Sequence, residues 1–101
     1  MKKADVRFPS LALEPIAIQE LGGTFQMRQL SLVQKLGLDD LASNADRAVQ
    51  FLAMSIVDED GVPIGDAADW DRFLSVHEDA GTEIINRLRS LNGMDGVEKK
   101  V

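Results

Sequence analysis

Residues that could carry catalysis or bind a metal are sparse in this sequence. His77 is the only histidine of the 101 residues and there is no cysteine, so no second imidazole and no thiolate can join it around a transition metal. A serine–histidine pair would also need an orienting acid and an oxyanion site, and no Gly-x-Ser-x-Gly motif occurs. We therefore expect the chain not to be an enzyme and His77 to be a surface residue in the first turn of a helix.

The acidic run Asp58-Glu59-Asp60-Gly61 resembles part of a calcium loop, in which carboxylates alternate before a glycine. When Gly61 is aligned with that glycine, Ile56 takes the first ligand position and Ala67 the last. Because two essential carboxylates are then missing, the favoured interpretation is a solvated acidic turn. The pair Gly22-Gly23 likewise lacks the Gly-Lys-Ser/Thr of a phosphate-binding loop, so we expect neither a metal nor a cofactor.

Composition narrows the kinds of partner. Eleven Lys and Arg residues stand against seventeen Asp and Glu residues, which gives a net charge of -6. Because no basic cluster is interleaved with aromatic residues, we expect no nucleic-acid partner. The apolar stretches are far shorter than the roughly 20 residues that span a bilayer, so we expect a soluble protein with no membrane partner.

Two short segments with alternating apolar residues predict a β-hairpin near the N-terminus. Ile16 and Ile18 alternate with polar or small residues before Gly22-Gly23, and Phe25 and Met27 do so after it. Glycine tolerates the positive φ of tight hairpin turns. Since an isolated hairpin is marginally stable, its apolar face must lie on helices or pair with another chain, and its edge from residue 25 to residue 30 is a candidate association surface. Pro15 should lie at a strand start or on an edge.

Helical periodicity and capping motifs dominate the rest of the chain. The predicted fold class is α+β, mostly α, with an N-terminal hairpin followed by a small bundle of about four helices. The predicted organisation is an extended lead-in over residues 1–12, a single domain over 13–93 and a flexible tail over 94–101. The predicted helices are a short one opened by a Ser31–Gln34 capping box and ended by Gly37, a long one from Leu41 to Val57, one capped by Asp66 or Asp69, and one opened by a Ser75–Glu78 box and ended by Asn92-Gly93.

Apolar residues outside the main apolar stripe of a helix indicate where another chain could bind. Phe51 and Met54 project away from the main apolar stripe of the long helix, and a helix that is apolar on two sides is usually buried on two sides. The alternative is that these are scattered exposed residues. Trp70 is either a partner anchor or the centre of a small core with Phe73. The candidate protein-binding residues are Phe51, Met54, Phe25, Met27, Leu30 and Trp70.

Three segments in this order resemble a known family: Glu20-Leu21-Gly22-Gly23 in the hairpin, the turn Asp58-Glu59-Asp60-Gly61-Val62-Pro63 after the long helix, and the final Leu91-Asn92-Gly93. Over roughly residues 14–95 the chain resembles the tail assembly chaperones of long-tailed, siphovirus-type bacteriophages. The resemblance implies a protein that works in the cytoplasm of the infected bacterium and is absent from the mature virion. Its implied partners are the tape measure protein, which it keeps soluble, and the tail tube protein, whose polymerisation it promotes.

The resemblance also implies self-association into a homo-oligomer. Two other classes of binding protein fit a small acidic chain of this composition. One is a virion structural protein such as a head–tail connector, and the other is an inhibitor or antitoxin-like protein.

Overall fold

An antiparallel hairpin opens the described part of the chain, which is residues 10–94 of a computed structural model. Strands β1 (Leu13–Ile18) and β2 (Gly23–Arg28) pair with Ile16 opposite Phe25. The predicted hairpin is confirmed, although its turn is longer than a Gly-Gly pair. A 3-10 turn over Gln19–Leu21 leads to Gly22, which has a φ of 79° and donates its N–H to the Gln19 carbonyl.

A third strand completes the sheet. Strand β3 (Ile56–Val57) pairs antiparallel with β2, with Met27 opposite Ile56, so the strand order is β1-β2-β3. The prediction that the long helix continues to Val57 is therefore wrong, because these stiff β-branched residues leave the helix. Strand β3 pairs with Gln26 and Met27 of β2, so part of the cover that the sequence left to helices or to another chain comes from this chain's own sheet. In the sheet that the structure describes, β1 is an edge strand, and it carries Pro15 as predicted.

Between the hairpin and residue 94 the structure describes four helices, which confirm the α+β, mostly α, fold class. The predicted Ser31–Gln34 capping box is present, and of the two candidate caps Asp66 and Asp69 it is Asp66 that forms the N-cap of the third helix. Ser31 and Gln34 exchange side-chain hydrogen bonds with each other's backbone N–H groups, and Asp66 and Asp69 do the same. The helices are α1 (Leu32–Asp39), α2 (Asn44–Ser55), α3 (Ala67–Val76) and α4 (Glu78–Leu91).

Three other predicted helix boundaries are also wrong. Helix α1 passes through Gly37, and α2 starts later than residue 41, after an N-cap at Ser43 whose hydroxyl accepts from the Asp46 N–H. Ser75 does not cap α4, because it lies inside α3 and its Oγ donates to the Asp71 carbonyl at 2.9 Å. His77 instead forms the corner between α3 and α4. The predicted end of α4 at Asn92 is confirmed.

One apolar core joins the sheet to all four helices, with α2 at its centre, in contact with α1, α3, α4 and the sheet. Trp70 and Phe73 belong to it and pack edge to face, with their ring centroids 5.2 Å apart. The core residues are Ile16, Ile18, Met27, Leu30, Leu38, Phe51, Leu52, Ala53, Ile56, Trp70, Phe73, Ile84 and Leu88.

The ends of the chain are only partly within the described range. Of the predicted lead-in, residues 1–9 lie outside it, as do residues 95–101 of the predicted tail. Ala12 already exchanges hydrogen bonds with Gln29, donating to its side chain and accepting from its backbone N–H, both at 2.9 Å. Within residues 10–94, no helix has both the length and the apolar character needed to cross a membrane.

Candidate functional site

Helix α1 exposes three large apolar side chains. Leu32, Val33 and Leu36 are 69%, 77% and 54% exposed, whereas Leu38 on the same helix is 6% exposed. At about 100° per residue, the three exposed residues share one arc of α1 and Leu38 lies outside it. Leu38 therefore attaches the helix to the core, and the opposite apolar face is left in contact with water.

A groove of about 530 Å³ lies beside this face, between α1, α2 and α4. Leu36 lines its α1 side, Ile85 its α4 side and Phe51 its α2 side, and Phe51 itself is only 5% exposed. We call the exposed face and this hollow together the α1 groove. Water in contact with these apolar walls is released when another apolar surface covers them, and this release favours binding.

Polar side chains at the edge of the α1 groove are held by neutral oxygens. The Lys35 Nζ donates to the Asn92 carbonyl at 3.3 Å. The Arg47 guanidinium donates to the Leu41 carbonyl at 2.7 Å and also to the Asn44 side-chain oxygen. These bonds fix both cations beside the apolar walls.

Asn92 sets the position of α1 relative to α4. Its Oδ1 accepts from the Leu30 backbone N–H at 2.8 Å, and its Nδ2 donates to the Leu88 carbonyl at 2.7 Å. Asn92 is 6% exposed, so these bonds satisfy polar groups that are shielded from water. The segment before α1 is thereby tied to the end of α4, and the two sides of the groove are held together.

Four of the six predicted binding residues are not surface residues. The exposed fractions of Met27, Leu30 and Trp70 are 1–2%, and Phe51 is almost as buried. This chain's own sheet and helices cover these four side chains, and of the four only Phe51 lines the α1 groove, so protein binding by these residues stays a prediction. For Trp70, the alternative of a core residue packed against Phe73 is the correct one.

Met54 and Phe25 are partly buried and pack against the core. Met54 also lines an open hollow beside Arg28, away from the α1 groove. The Arg28 guanidinium donates to the Met54 carbonyl at 2.9 Å and to the Gly61 carbonyl at 3.4 Å. The second apolar side of α2 is thus covered mainly from within the chain, and of Phe51 and Met54 it is Phe51 that lines the α1 groove.

His77 and the acidic turn at Asp58, which were considered above for catalysis and metal binding, contact other residues of the fold. His77 lies beside Phe73, with ring centroids 5.3 Å apart. The Asp58 carboxylate accepts from the backbone N–H groups of Asp60 and Val62 and so shapes the acidic turn. In the part of the chain that the structure describes, no group of three or more His, Cys, Asp or Glu residues is arranged to hold a metal ion.

The exposed face of α1 was missed in the sequence, although a signal for it exists. The segment Leu32-Val33-Gln34-Lys35-Leu36-Gly37-Leu38 contains four large apolar residues in two turns. One helix face cannot hold all four, and the same reasoning that we applied to α2 would have indicated a second face here. Helix α1 lies at the edge of the fold, so its second face is the one that stays uncovered.

Together these features describe a small α+β domain with an open apolar groove whose walls can bury the side chains of another molecule. Comparison of the chain with protein-family models, with curated proteins and with solved structures finds no match.

Proposed function

We propose that this protein is a tail assembly chaperone of a long-tailed bacteriophage. In this role it binds the tape measure protein, keeps it soluble and promotes polymerisation of the tail tube around it. It acts in the cytoplasm of the infected bacterium, is not an enzyme and leaves no copy in the mature virion. The proposal starts from the family resemblance of residues 14–95 and is supported by a surface suited to binding another chain.

The observation that carries the proposal is the exposed apolar face of α1. Fully burying a Leu or Val side chain contributes about 1.5–3 kcal/mol, and three such side chains stand together there. Adjacent to them, the groove provides further apolar wall. A chaperone of this kind needs a modest contact that can be repeated along a long partner, since many weak contacts on one rod add up to strong retention.

Self-association belongs to the same proposal. A second copy can cover part of the apolar surface when no tape measure protein is present, so the free chaperone forms homo-oligomers. Binding of the tape measure protein then competes with these contacts. The negative net charge of the chain keeps such assemblies apart from one another in solution.

Co-expression with the tape measure protein of the same phage tests the proposal. We expect the wild-type chain to move the tape measure protein from the pellet to the supernatant of the lysate. The variant Leu36→Asp should lose this effect, because it places a carboxylate on the exposed face of α1. Val76→Asp is the matched control, since Val76 is 73% exposed at the end of α3 and the substitution adds the same charge.

A tape measure protein that remains equally insoluble with and without the wild-type chain would contradict the proposal. Equal loss of effect in both variants would show that charge, and not the α1 face, controls the result. Mass spectrometry of purified phage provides a second test. Stoichiometric amounts of the chain in mature particles would identify a virion structural protein instead.

A further inference from the structure

The charges around the α1 groove are opposite to those of the whole molecule. The chain has seventeen acidic and eleven basic residues. Among the described residues that line the groove, however, Lys35, Arg47 and Arg89 are cationic and only Asp39 is acidic. A basic rim around an apolar hollow is therefore a local feature that the overall composition does not predict.

Two of the rim cations, Lys35 and Arg47, are held in place by uncharged partners. The contacts of Lys35 and Arg47 described above are to carbonyl and amide oxygens, which carry no formal charge. Both side chains also keep donors beyond those contacts, because an ammonium group has three N–H bonds and a guanidinium group has five. A carboxylate brought to the rim would find charged donors that are already positioned.

We propose that the α1 groove binds an amphipathic helix of the partner whose apolar stripe is flanked by Asp and Glu residues. This inference rests on the proposed function and names the kind of tape measure segment that the chaperone selects. The apolar stripe lies against Leu36, Phe51 and Ile85, and the flanking carboxylates reach Lys35 and Arg47. Helix-in-groove recognition of this type places anchors at i, i+3 or i+4, and i+7.

The dimensions suit a short helical segment. Helix α1 has eight residues and is therefore about 12 Å long, which corresponds to roughly two turns of a partner helix. Side chains three and four residues apart lie on one face of that helix. Two turns can therefore place two or three apolar side chains in the groove with acidic side chains on either side.

Two electrostatic effects oppose each other here, and this makes the inference easy to test. The net charge of -6 favours a basic peptide over an acidic one at long range. The rim favours an acidic peptide at contact distance. At physiological ionic strength, charges more than about 8 Å apart are largely screened, so we expect the rim to determine the preference.

Two synthetic peptides of about 15 residues, long enough to form helices in contact with a partner, serve as probes. They share one leucine stripe at helical spacing and differ only in flanking residues, which are Glu in one and Lys in the other. We expect the Glu peptide to bind the wild-type protein at least threefold more tightly, measured by fluorescence anisotropy at physiological salt. Equal binding, or tighter binding of the Lys peptide, would overturn the proposal.

Charge reversal at the rim provides the matched test. Lys35→Glu should weaken the Glu peptide by about five- to tenfold, as the loss of one ion pair and the gain of one repulsion imply. Arg87→Glu changes the net charge equally on an exposed part of α4 that does not line the groove, and should change binding less than twofold. A similar weakening by both variants would attribute the preference to net charge and overturn the proposal.

The other possible occupant is a second copy of this chain. If neither peptide binds and Leu36→Asp converts an oligomer to a monomer, the groove is an interface between copies and the proposal fails. The co-expression experiment is independent of these measurements. A tape measure protein made soluble without any preference for Glu peptides leaves the chaperone function in place and rejects only the acidic helix.

Discussion

Asn92 is the single side chain that most directly holds the α1 groove together. Replacing it with alanine leaves the buried N–H of Leu30 without a partner, and an unsatisfied buried donor costs about 1–3 kcal/mol. We expect Asn92→Ala to lower the free energy of unfolding by that amount in urea denaturation. Asn86→Ala, an exposed position on α4, should change it by less than about 0.5 kcal/mol. Equal effects of the two substitutions would contradict the role of Asn92.

The N-cap residue Asp66 makes the stability of helix α3 depend on pH. The hydrogen bond from the Asp69 backbone N–H is the main cause that lowers the pKa of Asp66 below its usual 3.8. The pKa of Asp66 is lower in the folded than in the unfolded chain. The stabilisation by the charged Asp66 cap is therefore complete above pH 3.8 and is lost as pH falls through the folded-state pKa. Asp66→Asn keeps a capping oxygen without the charge. We expect the difference in urea midpoint between wild type and Asp66→Asn to shrink as pH falls in this range; a constant difference would contradict it.

At the scale of elements, α3 and α4 meet at a glycine. A Cβ on Gly81 would lie 2.2 Å from the Leu74 Cδ2, so Gly81→Ala must displace that side chain. Alanine is otherwise better than glycine in a helix by about 1 kcal/mol. We expect Gly81→Ala to stabilise the Leu74→Ala variant by about that amount and to give no such gain in the wild type. Thermal unfolding of the four proteins measures this coupling, and additive effects would show that no clash exists.

The free edge of the sheet is partly blocked by a proline. The backbone of Ala12 exchanges hydrogen bonds with Gln29 on the side of β2. Because backbone groups alternate in direction along a strand, the backbone N–H and C=O groups at positions 13, 15 and 17 belong to the free edge. Pro15 removes one of the donors that another strand would need. We expect Pro15→Val to increase concentration-dependent association in size-exclusion chromatography. Leu13→Val adds no donor and is the control; association unchanged by Pro15→Val would show that the edge is protected by other means.

Helix and strand boundaries are predictable from the sequence when the residues that determine them lie close together in the chain. The Ser31 and Asp66 caps were predictable because a capping box involves residues only three apart. The end of α2 was not, because Ile56 and Val57 continue the helical apolar pattern and become a strand only through pairing with β2. Met27 and Leu30, which this chain buries, were predicted as part of a binding surface for the same reason. Periodicity shows that a face is apolar, but which element covers it depends on contacts distant in sequence.

At the scale of the whole molecule, the net charge of -6 opposes the self-association that the apolar α1 face favours. Salt separates these effects, because the screening length falls from about 10 Å at 0.1 M to about 3 Å at 1 M. We therefore expect the average molar mass from sedimentation equilibrium to rise with NaCl concentration at neutral pH. Leu36→Asp should remain monomeric throughout, since it removes the apolar contact as well as adding charge.

Leu36→Asp both adds a charge and removes an apolar side chain from α1. Val76→Asp separates these two effects, because it adds the same charge without changing α1. We expect it to associate at high salt as the wild type does. If it instead stayed monomeric at 1 M NaCl, the association would involve the corner between α3 and α4 and not the α1 groove. A wild-type mass that does not depend on salt or protein concentration would contradict self-association altogether. The groove would then be free for the tape measure protein without competition from other copies.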